Sequence, residues 1–202
     1  MKYIIVVLIF TNFLMSMSKD KVAKGIKSEL DKMKNVIIEF EQVQFWELAG
    51  EQSSEFGVVK FVDVQKYKIE MDGNYIIFNN GTVFRYSKEN NQILIEKIES
   101  NDTSALDIRL LFQLEESFEI FDFNELEDEI KVNLKPKKHG ENMILELNLL
   151  LSDKFEAKEM EILDIDDNKT IYKIIKIDKK QVFDDNEFNF KDNGKVEVMD
   201  LR

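Results

Sequence analysis

From Tyr67 to Tyr86 the chain reads YKIEMDGNYIIFNNGTVFRY, and the fold class follows from this stretch. Tyr67, Ile69 and Met71 alternate with Lys68 and Glu70, the period of a strand with one buried face. Asp72-Gly73 then turns the chain. Tyr75 to Phe78 and Thr82 to Tyr86 flank Asn79-Asn80-Gly81, and Asn-Gly is a strong hairpin signal because both residues tolerate positive φ. Strands joined by turns this tight must run antiparallel.

The same period extends outward in both directions. Val36, Ile38 and Phe40 alternate in a run that continues to Trp46 and breaks at Gly50-Glu51, and Val59 and Phe61 alternate in the next. Gln92 to Ile98 follows the polar turn Ser87 to Asn91. Further runs occupy Phe118 to Phe123, Ile130 to Lys135, Met143 to Leu151, Phe155 to Leu163, Thr170 to Ile177, Phe188 to Phe190 and Val196 to Val198. Two segments switch to the helical period. Val22, Ile26, Leu30 and Met33 predict a helix over about Lys19 to Lys34; Leu106, Leu110 and Leu111 predict another between Asp102 and Leu114, with Asp102 or Thr103 as cap. The expected fold is mainly β with a few helices, a single α+β domain built on one antiparallel sheet of about ten or eleven strands. No linker, repeat or low-complexity tract divides it. Phenylalanine is abundant, 16 of 202 residues, more apolar surface than a flat two-layer sheet needs. A curved sheet wrapping a helix would bury that surface, and so would one wrapping a ligand.

Residues 1–18 have the layout of a signal peptide: Lys2, an apolar run from Tyr3 to Phe10, the break Thr11-Asn12, then Phe13-Leu14-Met15. Ser16 and Ser18 stand at the −3 and −1 positions of a cut before Lys19, so residues 19–202 are expected to form the mature domain; an uncleaved anchor is the other reading. There is no cysteine for a lipid anchor or a disulfide. Loss of Lys2 leaves 27 basic against 40 acidic residues, a mature charge of 27 − 40 = −13. Such a surface repels nucleic acid and anionic headgroups, so neither is an expected partner, and a monomer is the expected state.

Residues suited to catalysis are scarce. His139 is the single histidine, in the polar loop Lys137-Lys138-His139-Gly140, with no second nitrogen or thiolate to help hold zinc. Asp164, Asp166 and Asn168 take the first, third and fifth places of a calcium loop, but Lys169 replaces the glycine and Ile175 the terminal glutamate, so a turn is the better reading. Glu115-Glu116 and the acidic stretch Glu125 to Glu129 read as a solvated rim. An enzyme is not expected, nor a cofactor or metal.

Read in order, these segments resemble the LolA family of periplasmic outer-membrane lipoprotein carriers. Leu30-Asp31-Lys32-Met33-Lys34-Asn35, then Val36-x-Ile38-x-Phe40-x-Gln42, is similar to its first helix and its F-x-A-x-F-x-Q strand. Asn80 to Tyr86 resembles its D-G-K-x-L-W-x-Y hairpin, Leu134-Lys135-Pro136-Lys137 its L-x-P-K strand end, and Asp164 to Thr170 its D-x-x-G-N-x-T turn. Phe188-x-Phe190 with Gly194 to Val198 resembles the closing segment.

The resemblance implies a half-open antiparallel barrel covered by helices, whose apolar cavity takes the acyl chains of lipoproteins. It implies an inner-membrane ABC-type exporter as donor and an outer-membrane receptor as acceptor. The residues it proposes for the cavity wall are Phe40, Trp46, Phe61, Tyr67, Ile69, Met71, Phe84, Leu106 and Leu110; Tyr67 and Ile69, which take the places of an aromatic pair, read equally as ordinary core. At Asp63-Val64 the family carries Arg-Pro, and its arginine latches the helical lid. Asp63 has acceptors but no donors at neutral pH, so it cannot make those bonds and lid control must differ. Another amphiphile, a glycolipid or phospholipid, is an alternative cargo, and a secreted domain with a filled interior is a third reading.

Overall fold

A computed structural model describes residues 17–97, 114–138, 143–191 and 194–202. Helix α1 (Lys19–Asp31) precedes β1 (Val36–Trp46), β2 (Glu51–Asp63), β3 (Lys66–Met71), β4 (Asn74–Asn79), β5 (Thr82–Ser87) and β6 (Gln92–Lys97). A helical turn α2 (Leu114–Ser117) leads into β7 (Phe118–Glu125), β8 (Glu129–Pro136), β9 (Ile144–Ser152), β10 (Ala157–Asp164) and β11 (Lys169–Asp178); a 3₁₀ turn (Asp185–Phe188) and β12 (Glu197–Asp200) close the chain. All twelve strands form one open sheet in the order β12-β6-β5-β4-β3-β2-β1-β11-β10-β9-β8-β7. The helix expected over 102–114 lies, save Leu114, outside the described residues, as does the leader up to Ser16.

The hairpin chemistry holds. Asp72 and Gly73 have φ of 47° and 78°, Asn80 and Gly81 of 49° and 82°, the paired positive values of a two-residue turn whose twist matches its strands. Helix α1 begins where Ser18 accepts a hydrogen bond from the Lys21 amide at 3.2 Å. It ends at Asp31 rather than Lys34. The amides of Lys32 and Met33 tighten to carbonyls three residues back, and Asn35 at φ 52° redirects the chain into β1.

Three expectations need correction. The sheet has twelve strands, not ten or eleven, and it is not wholly antiparallel: β12 pairs parallel to β6. Phe188 to Phe190 is not a strand. Asp184 accepts from the Asn186 amide and Glu187 returns a bond to the Asp184 amide, so a capping box winds the chain into a 3₁₀ turn and drives Phe188 into the protein, fully buried. Finally β10 starts at Ala157, because Phe155 sits in the preceding turn at φ 67°.

The 3₁₀ turn belongs to a strap that crosses the outer face of β2–β5 and delivers β12 to the far edge, which is why β12 arrives parallel. Its ties are Lys60–Glu187 at 2.5 Å, Lys66–Asp185 at 3.0 Å, and Asn79 Nδ2 donating to the Phe188 carbonyl at 3.1 Å. The hydrogen bond from Lys60 holds the Glu187 carboxyl below the usual carboxylate range.

Candidate functional site

The strand register decides which residues share a face. From β5 toward β7 the pairs run Val83–Phe78–Tyr67–Phe61–Val36 and Arg85–Ile76–Ile69–Val59–Ile38. Beyond β1 the same face continues through Tyr172, Met160, Leu149 and Val132 to Phe123. The result is one apolar inner face spanning ten strands, from β5 to β7, bounded at the β5–β6 end by the Arg85–Glu96 ion pair at 3.2 Å.

Two clusters occupy this face. Over β7–β9, Val22 and Ile26 of α1 pack on Phe118, Ile130, Val132, Leu134, Leu147, Leu149 and Leu151. Over β1–β5 the cluster is Val36, Ile38, Phe40, Val59, Phe61, Tyr67, Phe78 and Val83, with Ile69, Met71, Ile76 and Tyr172 half-buried around it. Between α1 and the β7–β8 pair runs a groove of about 390 Å³, floored by Ile26, Leu114, Phe118, Ile120 and Leu134 and rimmed by charged residues including Lys19 and Lys137. That is the low end of the size range of small-molecule sites.

Aromatic packing shapes the second cluster. Phe61 and Tyr67 stack at 6.3 Å, Tyr67 and Phe78 at 5.2 Å, and Phe40 meets Tyr172 at 5.7 Å. Phe40 can lie across β2 because residue 57 is glycine: a Cβ there would stand 2.3 Å from the ring. Burial pushes the Tyr172 phenol up, so this ring stays neutral.

Of the proposed cavity residues, Phe40, Phe61, Tyr67, Ile69 and Met71 come together on the inner face; the first three are buried, the last two half-buried. Trp46 has the parity of Phe40 on β1 and stands half-buried at the far end of that strand. Phe84 is on the other face: it pairs with Ile77, and its ring lies 6.5 Å from Phe190 of the strap. Leu106 and Leu110 lie outside the described residues. Asp63 is exposed in the β2–β3 turn, where its Oδ1 accepts from the Gln65 amide at 2.8 Å, while Val64 packs against the second cluster. Sequence reading missed the β7–β9 wall and its groove; the signal was the alternation of Leu147, Leu149 and Leu151.

The polar motifs are accounted for by structure. Asp164 accepts from the amides of Asp166 and Asn168, both at 2.9 Å, which closes the β10–β11 turn on itself. Glu129 pairs with Lys158 at 3.0 Å, and Glu125 accepts from the Met17 amide at 2.8 Å. His139 lies outside the described residues. Among the described residues no three His, Asp or Glu side chains gather as a metal site, and no helix is long and apolar enough to cross a membrane.

A helix lying on the apolar inner face of a single open sheet defines a mainly β protein built on one large, curved, twelve-stranded sheet. The chain belongs to the LolA family: the model described as outer membrane lipoprotein carrier protein LolA matches residues 31–191. No curated protein sequence gives a significant match. Among solved structures, an uncharacterized conserved protein from Thermus thermophilus superimposes with a TM-score of 0.57 at 10% identity, covering 91% of this chain and 99% of that one. A LolA superfamily protein from Nitrosomonas europaea reaches 0.49 at 6% identity, covering 87% and 99%. The family description names a carrier of outer-membrane lipoproteins, a role in the cell envelope.

Proposed function

We propose that this protein is exported, is cleaved before Lys19, and carries the acyl chains of lipoproteins through the periplasm, from an inner-membrane ABC-type exporter to an outer-membrane receptor. The observation that supports this most is the inner face itself. An apolar surface runs from β5 to β7, with Ile69, Met71 and Ile76 half-exposed on it and an apolar groove open beside α1. Each methylene withdrawn from water contributes about 0.8 kcal/mol, so an acylated cargo needs such a surface in transit and nothing more than a better acceptor to leave it. No cofactor takes part. Release of lipoproteins from host spheroplasts, with and without the purified protein, is the test; release that does not depend on it refutes the reading.

The size of the groove, about 390 Å³, favours one chain at a time, which supports a second cargo class, a phospholipid or glycolipid held by a single chain. Mass spectrometry of lipid co-purified from the host separates the two.

A further inference from the structure

Phe155 combines two features that each cost energy locally. Its backbone is left-handed, φ 67°, in the β9–β10 turn, where its amide donates to the Ser152 carbonyl at 2.9 Å. A bulky L-residue occupies that region only where its surroundings enforce it. Its ring lies against Gly25 in the middle of α1, so closely that a Cβ on residue 25 would be 2.5 Å from the ring atoms. Glycine in mid-helix is itself unfavourable. The left-handed residue closes the β9–β10 hairpin, in which the Ser152 amide also donates to the Glu156 carbonyl at 2.8 Å, and having phenylalanine rather than glycine there sets a ring on the helix glycine. Lys179 spans the same junction, its Nζ 3.3 Å from Glu156 and 3.9 Å from Glu29, one turn beyond Gly25 on the helix. Ala23 and Ile26 of this helix form a wall of the groove.

We infer that Phe155 is a latch, a positioning residue that seats α1 against the sheet and so sets the width of the groove between α1 and β7–β8. When the ring leaves Gly25, the helix loses this contact and is free to lift while the β9–β10 turn keeps its own hydrogen bonds. The family's arginine position does not supply this contact, because Asp63 is engaged in its own turn. The effect on ligand rests on the acyl-binding reading; the seating of α1 does not.

The test is amide hydrogen exchange of the full mature chain, with release of a fluorescent fatty acid as a second readout. Phe155→Ala is expected to speed exchange of the Val22 to Leu30 amides, and release of the probe, by about tenfold, while β1–β5 exchange is unchanged. Gly25→Ala is expected to loosen α1 in the same way by displacing the ring. In a Phe155→Ala background the same change should slow exchange, since the methyl then meets no ring and alanine favours helix. Phe155→Tyr should restore wild-type rates. Unchanged α1 exchange in Phe155→Ala, or equal loosening by Gly25→Ala in both backgrounds, overturns the latch. Loosened α1 with unchanged probe release overturns its control of the groove. Loosened α1 in a protein that binds no probe in any variant supports the latch and counts against the acyl-binding reading instead. Should Phe155→Ala fail to fold, Gly25→Ala and Gly25→Ala/Phe155→Tyr report the same displacement: loosened α1 in both supports the latch, and wild-type exchange in either overturns it.

Discussion

Gly57→Ala is a one-methyl change with a consequence that the packing sets. Phe40 and Gly57 face each other across β1 and β2, and a Cβ on residue 57 would stand 2.3 Å from Cζ and 2.7 Å from Cε1 of the Phe40 ring. Carbon atoms rest about 3.5–4.0 Å apart, so something must retreat by more than 1 Å. The Gly57 backbone cannot, being held by β1 on one side and paired with Met71 of β3 on the other. The ring must therefore rotate away from Tyr172 and into the inner face. Overpacking of this kind costs about 2 kcal/mol, within a range of about 1–3. For a chain of this length that lowers Tm by about 4–8 °C. The displaced ring also fills space beside Met71, so a fluorescent fatty acid should bind with lower capacity. Thermal unfolding followed by circular dichroism, paired with a probe titration, measures both effects. In a Phe40→Ala background the added methyl has no ring to strike, and its cost should shrink to within about 0.5 kcal/mol of zero. Wild-type unfolding of Gly57→Ala, or an undiminished cost in the Phe40→Ala background, would refute the packing argument.

Ile69 sits between Val59 and Ile76 on the half-covered part of the inner face. Ile69→Glu is expected to weaken probe binding about thirtyfold, since a carboxylate against acyl chain costs about 2 kcal/mol, with Tm within a few degrees of wild type; a folded variant that binds normally removes this face as the site. Asp63→Ala should lose the turn bond to Gln65, about 1 kcal/mol, whereas Asp63→Asn keeps an acceptor and should match wild type in chemical denaturation. The strap should loosen in acid. Glu187 is held below its ordinary range by the Lys60 bond and Asp184 by the Asn186 amide, so their contribution is complete above the unfolded carboxylate range, about pH 4, and fades as pH falls through the lower folded values. Protection of the amides over 184–190, relative to their intrinsic exchange rate at each pH, should fall below about pH 4 and be constant between about pH 6 and 8; Lys60→Met should lower it already at neutral pH.

What the sequence determined was local. Val36 to Trp46 needed only its period of two, and the strand ends there agree to the residue. Asp72-Gly73 and Asn80-Gly81 declared their turns because positive φ excludes most other residues. The order of such segments, with Leu134-Lys135-Pro136 and the Asp164 turn among them, was enough to mark the family. Tertiary structure decided the rest, for reasons of distance. Alternation says that Phe84 and Val83 face opposite ways, but not which way is inward where a strap covers the second face. Phe188-x-Phe190 carries the pattern of a strand, yet the Asp184–Glu187 cap and the burial of Phe188 between the strap and the sheet overrule a propensity worth less than either. The need for glycine at 57 exists only once the register sets Phe40 across from it, and Gly25 and Phe155, 130 positions apart, become intelligible only when the sheet brings them together. A backbone preference is written into the residue that has it; a contact is written into neither partner alone.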